Sequence, residues 1–197
     1  MVTRERFEQG MTYDEYKRQM TRNRERLEAN ERRLVIDPSD LAAFQRLPRP
    51  LHVLVLAEDW CGDVIANLPI LGRLAADSSK LDLRIFLRDQ NPDLMDQYLN
   101  RGVYRSIPVF AFFDQDFNEV GRFIERPDSV TELRAARRRE IYASNPEFGS
   151  PDAPIDQLPE EVRARLQAAI AAMREETAPF ANAEVIRELR AIVERAA

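Results

Sequence analysis

The spacing of apolar residues changes along this chain, and each change marks a different kind of segment. Over residues 12–34, Tyr16, Met20, Leu27 and Leu34 recur at helical intervals among Arg and Glu. This predicts one long polar helix with a narrow apolar stripe, suited to docking on the body of the domain or, as the less favoured reading, on a second chain. Thr12 and Glu15 form a capping box at its start, the hydroxyl accepting from a first-turn amide while the carboxylate reaches back. Asp37-Pro38-Ser39-Asp40 then opens a short helix that must stop before Pro48 and Pro50.

The centre has a different texture. Residues 51–57 form a nearly continuous apolar run, as expected of a strand buried on both faces. Between 61 and 76, Val64, Leu68, Leu71 and Ala75 mark one face of a helix, with a kink predicted at Pro69. A second strand follows over 81–87, with Leu81, Leu83, Ile85 and Leu87 in alternation. A helix is expected over 92–100, stopped near Gly102. Strands over 108–113 and 117–123, joined by Asp114-Gln115-Asp116, read as an antiparallel hairpin. Another helix starts at Pro127-Asp128-Ser129, with Ser129 and Glu132 as a second capping box. The order β-α-β-α-β-β-α defines an α/β fold with a mixed sheet covered by helices.

A Pro-rich connection over 145–154 precedes two amphipathic helices. The first carries Val162, Leu166, Ile170 and Met173; the second carries Val185, Leu189, Ile192 and Val193, with Asn182 as its expected cap. The expected organisation is therefore a helical extension over 1–49, a core domain over 50–145, and a helical extension over 146–197 that packs on the core.

Composition narrows the function classes. The chain has 197 residues, 44% hydrophobic and 32% charged, enough to bury a core without disulfides or a structural metal. Its net charge of −5 and the lack of interleaved basic and aromatic residues argue against nucleic acid, and the Arg137–Arg139 run reads as a solvated helix face. No apolar run approaches the roughly 20 residues of a membrane span, and no signal-like stretch follows Met1, so no membrane partner is expected. One Cys and one His cannot assemble a Cys/His metal site, no cofactor is implied, and His52 reads as structural. A single thiol without a signal fits a reducing cytoplasm.

Cys61 lies where the first central strand hands over to its helix. First-turn amides are unpaired there and the helix dipole is positive, which stabilises a thiolate. Around it, Ala57-Glu58-Asp59-Trp60-Cys61-Gly62-Asp63-Val64 resembles the active-site loop of the thioredoxin family, Trp-Cys-Gly-x-Cys. Pro69 falls at the family's helix-kinking proline. Arg105-Ser106-Ile107-Pro108-Val109 resembles its Ile-Pro-Thr segment, and residues 112–121 resemble its terminal hairpin. The resemblance covers residues 50–145. It implies a thioredoxin-like sheet with extra terminal helices, a cis peptide bond before Pro108, and Cys61 as the reacting thiol. It further implies that Trp60, Gly62, Asp63, Ile107 and Pro108 form the substrate-binding surface, with the backbone of Ile107 pairing to a substrate peptide.

The departures define the function. Val64 stands at the family's resolving cysteine and Val55 at its buried acid, so the dithiol cycle is absent. The charges of Glu58, Asp59 and Asp63 oppose a thiolate by on the order of 1 kcal/mol each. That is comparable to the helix-dipole benefit of about 0.3–1 kcal/mol. Two functions are expected. One is monothiol exchange with a protein client or a small thiol; the other is a binding module without catalysis.

Overall fold

The structure is a computed structural model that describes residues 2–196. The chain folds as two compact units. One comprises the residues up to Arg126 together with those from Val185 onward; the other is Pro127–Glu184. Neither boundary coincides with those read from sequence, at 49/50 and 145/146.

The first unit is built on a four-stranded sheet. Its strands are β1 (Leu51–Ala57), β2 (Leu81–Leu87), β3 (Val109–Phe113) and β4 (Glu119–Ile124), in the order β2-β1-β3-β4. β1 runs parallel to β2, with Val55 opposite Ile85, and antiparallel to β3, with Val55 opposite Phe110. β3 and β4 form the expected antiparallel hairpin. Apart from His52, every residue of β1 is buried, as its continuous apolar run predicts for a central strand covered on both faces. The outer edge of β2 does not stay open. Met11 and Ile85 exchange both backbone hydrogen bonds, at 2.9 and 2.7 Å, so the N-terminal segment closes part of that edge.

Four helices precede the sheet: α1 (Arg4–Glu8), α2 (Tyr13–Gln19), α3 (Arg24–Arg33) and α4 (Pro38–Gln45). The single helix expected over 12–34 is thus two helices, and α1 lies outside every predicted element. The capping box of Thr12 and Glu15 forms as read. The break between α2 and α3 has a tertiary cause. The Asp59 carboxylate accepts from the Thr21 amide (2.7 Å), the Thr21 hydroxyl (3.1 Å) and the Arg22 amide (3.0 Å). Asn23, in the left-handed region at φ 56°, donates its side-chain amide to the Asp59 carbonyl. An ionised acceptor offers these donors more than another helical turn would. The apolar stripe survives the break: Tyr16, Met20, Leu27 and Leu34 are all buried.

α5 (Gly62–Ser78) carries Pro69 in its interior. Proline has no amide to donate to the carbonyl four residues back, which is Ile65. Asn30 of α3 takes the vacant place, its Nδ2 donating to the Ile65 carbonyl at 2.9 Å. The α3–α5 contact therefore satisfies a carbonyl that the helix itself cannot.

Two further expectations are corrected in this unit. The helix over 92–100 is only α6 (Pro92–Met95). Beyond it the chain tightens to i−3 bonds, then turns through left-handed Arg101 and Gly102 so that Asn100 bridges Tyr104. Phe117 belongs to the hairpin turn rather than β4. That turn is set by the Asp114 carboxylate accepting from the amides of Asp116 and Asn118 at 2.9 Å each. The Phe117 ring stacks on His52, with centroids 4.8 Å apart, and His52 Nδ1 lies 3.2 Å from Asp82.

In the second unit, α7 (Asp128–Ser144) and α8 (Glu160–Glu176) bury Tyr142, Phe148 and Leu166. The Ser129–Glu132 box is not formed. Ser129 lies inside α7 and gives its hydroxyl to Glu184, so Pro127 occupies the cap position. α9 (Ala178–Arg195) starts before Asn182, which is therefore an interior residue and not a cap. From Val185 onward α9 belongs to the first unit. There Val185, Leu189, Ile192 and Val193 join the main core, and Gly121 of β4 leaves room for Ile192, whose Cγ2 would lie 2.9 Å from an added Cβ. Among the described residues, no helix is long and apolar enough to cross a membrane.

Asn30→Leu is expected to orphan the Ile65 carbonyl and to lower unfolding free energy by about 1–3 kcal/mol. Urea denaturation of the two proteins side by side checks this.

Candidate functional site

The turn between β1 and α5 carries the candidate chemistry. Its Cys61 amide donates to the Glu58 carbonyl at 3.2 Å, and the Cys61 carbonyl accepts from Ile65 at 3.1 Å. Cys61 is thus the N-cap of a 17-residue helix, in extended conformation, with its side chain outside the cap hydrogen bonds. The thiol is partly exposed, and Sγ lies 3.5 Å from the Ile107 carbonyl, to which its S–H can donate. The Ile107–Pro108 peptide bond is cis. Ile107 and Pro108 are buried, Gly62 is partly exposed, and Trp60 projects at 45% exposure. Val64 and Val55 are fully buried. The structure therefore brings Trp60, Cys61, Ile107 and Pro108 to one place, drawn from the β1–α5 turn and the segment before β3.

Each nearby carboxylate has an assigned partner. Asp63, in the first turn of α5 and 7% exposed, pairs with Arg126 Nη1 at 2.5 Å. Arg126 also pairs with Glu125. Glu125 Oε2 accepts from Asn100 Nδ2 at 2.9 Å, and that nitrogen lies 3.3 Å from the Ser106 hydroxyl. Glu125 adopts φ 64°, and its amide donates to the Pro108 carbonyl at 2.7 Å while its own carbonyl accepts from Asn67. One connected set of polar groups thus ties the start of α5 to the cis-proline segment. Asp59 serves the N-terminal helices, as described above. Glu58 is buried and accepts from the Asp89 amide at 2.9 Å; burial holds its carboxyl above the ordinary range, against that hydrogen bond. The expected opposition of three carboxylates to a thiolate is consequently blunted: one is ion-paired, one is engaged by three donors, and burial raises the proton affinity of the third.

Three residues around this site carry no motif and were not read from sequence as part of it. Arg126, which pairs with Asp63, is one of them. Arg88 lies 4.8 Å over the Trp60 ring and donates to the Arg105 carbonyl at 3.2 Å, so it links the exposed indole to the cis-proline segment. Tyr16, from α2, is fully buried, and its hydroxyl lies in the field of Asp59, Glu58 and Cys61. No local pattern could have signalled these, because each acts across the fold.

The chain belongs to the thioredoxin family: the family model described as Thioredoxin matches residues 10–139. That span begins in the N-terminal helices, well before residue 50. Comparison with curated proteins gives no match. Among solved structures, a protein of unknown function from Pseudomonas aeruginosa is similar at 22% identity and TM-score 0.67, with both chains covered in full. An HIV epitope-scaffold is similar at 21% identity and TM-score 0.65, again with full coverage of both chains. At these identities the likeness is one of fold.

Two outcomes follow from the charge arrangement. Arg126→Met removes the guanidinium paired with Asp63 near Cys61, and is expected to slow iodoacetamide alkylation of Cys61 at pH 7 about two- to fivefold. For Glu58, a folded-state carboxyl raised by burial binds its proton more readily than in the unfolded chain. Its contribution to stability is complete at acid pH and is lost as pH rises above the ordinary Glu range of about 4.3. The stability of Glu58→Gln relative to wild type should therefore climb from pH 4 to pH 7 in thermal melts.

Proposed function

We propose that the protein is a monothiol member of its family, exchanging Cys61 with a client cysteine or a small thiol. The observation that carries this reading is the placement of Cys61. It is partly exposed, at the N-terminus of α5, with Sγ against the Ile107 carbonyl beside Pro108. In the exchange, the Cys61 thiolate attacks one sulfur of a disulfide, a mixed disulfide forms, and the other sulfur leaves as a thiolate that takes up a proton. An external thiol then attacks the mixed disulfide, carries off the bound half and restores Cys61. Val64 contributes no sulfur to this second step, so turnover depends on that external thiol. Trp60 supplies an apolar rim, Gly62 and Asp63 open the helix whose amides face the thiolate, and Ile107 offers backbone groups to an extended substrate. A reducing cytoplasm would return Cys61 to its thiol form between cycles.

A second reading, a binding module without catalysis, draws on the same Sγ–Ile107 contact. A thiol donating to a carbonyl is held in its protonated form by that bond. Three exposed hydrophobic residues, Trp60, Val103 and Tyr104, add apolar surface on the segments leading into the site.

The pH dependence of Cys61 alkylation separates the two. Monothiol exchange predicts rapid alkylation with a midpoint clearly below about 8.5. Slow alkylation with a midpoint at or above that value would sink it, as would a Cys61→Ser protein that fully replaces the wild type in a deletion strain.

A further inference from the structure

Ile107, whose carbonyl meets the Cys61 thiol, is bracketed by a single residue. On its N-terminal side, Asn100 Nδ2 spends its two protons on the Ser106 hydroxyl (3.3 Å) and on Glu125 Oε2 (2.9 Å). Asn100 is itself fixed, exchanging both backbone hydrogen bonds with Tyr104 at 2.7 and 3.0 Å. On the C-terminal side, the Glu125 amide donates to the Pro108 carbonyl at 2.7 Å. Glu125 also reaches α5. Its carbonyl accepts from Asn67 Nδ2 at 2.8 Å, and its carboxylate pairs with Arg126, which holds Asp63. These contacts close a ring: from Cys61 along α5 to Asp63, across Arg126 and Glu125 to Pro108, and back through Ile107 to Sγ at 3.5 Å.

The backbone at this position makes the side chain informative. Glu125 follows β4 with φ 64°, a conformation that glycine takes freely and a side chain takes at a cost. Both backbone bonds of Glu125 would survive in glycine, so the side-chain bonds are what the strained residue adds. Its side chain is 23% exposed, which leaves those bonds less screened than a surface pair. We propose that Glu125 is a positioning residue of the thiol site. Its side-chain oxygen holds Ser106 through Asn100 while its amide holds Pro108, so that the Ile107 carbonyl between them stays within reach of Cys61 Sγ. The bearing of this on exchange rests on the monothiol reading above. The bond to Ile107 keeps the proton on the resting thiol, and the residue that maintains that bond therefore sets how readily Cys61 gives the proton up.

Cys61 is the only cysteine in the chain, so the infrared S–H stretch reports this one thiol. A donating S–H absorbs at lower wavenumber than one without an acceptor. The experiment records the band at about pH 5, well below the ordinary thiol range, for wild type, Glu125→Gly and Glu125→Gln. Melting temperature and the pH profile of iodoacetamide alkylation are measured in parallel. Glycine suits φ 64°, so Glu125→Gly should fold, and its S–H band is expected to move to higher wavenumber. Glu125→Gln keeps an oxygen that accepts from Asn100 and should keep the wild-type band. Both variants lose the same charge, yet alkylation at pH 7 should run about threefold faster in Glu125→Gly, where the carbonyl no longer holds the proton. A band that stays in place in Glu125→Gly, whatever its melting temperature, or that moves equally in Glu125→Gln, overturns the positioning role and leaves the monothiol reading standing. A wild-type alkylation midpoint at or above about 8.5 overturns the monothiol reading, while the band still decides the role of Glu125.

Discussion

A single carboxylate holds the site and its surroundings in register. Asp59 sits in the tight turn between β1 and α5, two residues before Cys61, and accepts three hydrogen bonds from Thr21 and Arg22. Those bonds separate α2 from α3 and tie the break between them to the turn. From there the dependence spreads. α3 lies along α5, Asn30 reaches the carbonyl that Pro69 leaves bare, and α5 keeps Cys61 as its N-cap. The N-terminal helices are therefore structural parts of the site, which agrees with a family match that begins at residue 10.

The same economy governs charge. A helix N-terminus favours an anion, yet the neighbourhood of Cys61 contains three acidic residues that would repel one. The fold engages each of them separately. Asp63 pairs with Arg126, Asp59 accepts from backbone donors, and Glu58 is buried beside the Asp89 amide. Arg126 then passes the constraint on through Glu125 and Asn100 to Ser106, just ahead of Ile107 and Pro108. Both walls of the thiol site are held by one polar network.

How much of this was legible in the sequence depended on the range of the forces involved. β1, β2 and the capping box at Thr12 were readable because a continuous apolar run, a two-residue alternation and a three-residue hydrogen-bond loop are all written locally. The positions of Cys61, Trp60 and Pro108 were readable because the motif places them. The break at residues 20–23 was not, since its acceptor lies nearly forty residues downstream, and neither was the unwinding after Met95, where Leu94, Met95 and Tyr98 are buried by tertiary packing despite an irregular backbone. The Ser129 and Asn182 caps failed for a related reason: a hydroxyl or amide of the right type near a helix start gives no information about competing partners such as Glu184. Arg126 and Arg88 meet the thiol site only through long-range contacts.

The path of α9 has a consequence for how the chain reaches this state. Val185, Leu189, Ile192 and Val193 fill the same core as β1 and β3, and Arg190 pairs with Asp40 near the other end of the chain. During synthesis the strands, α5 and the thiol all leave the ribosome before these side chains exist. Until α9 emerges, the nascent chain holds an unfinished core with Gly121 uncovered. Closure of the domain that bears Cys61 therefore waits for a segment made after the whole of the intervening second unit.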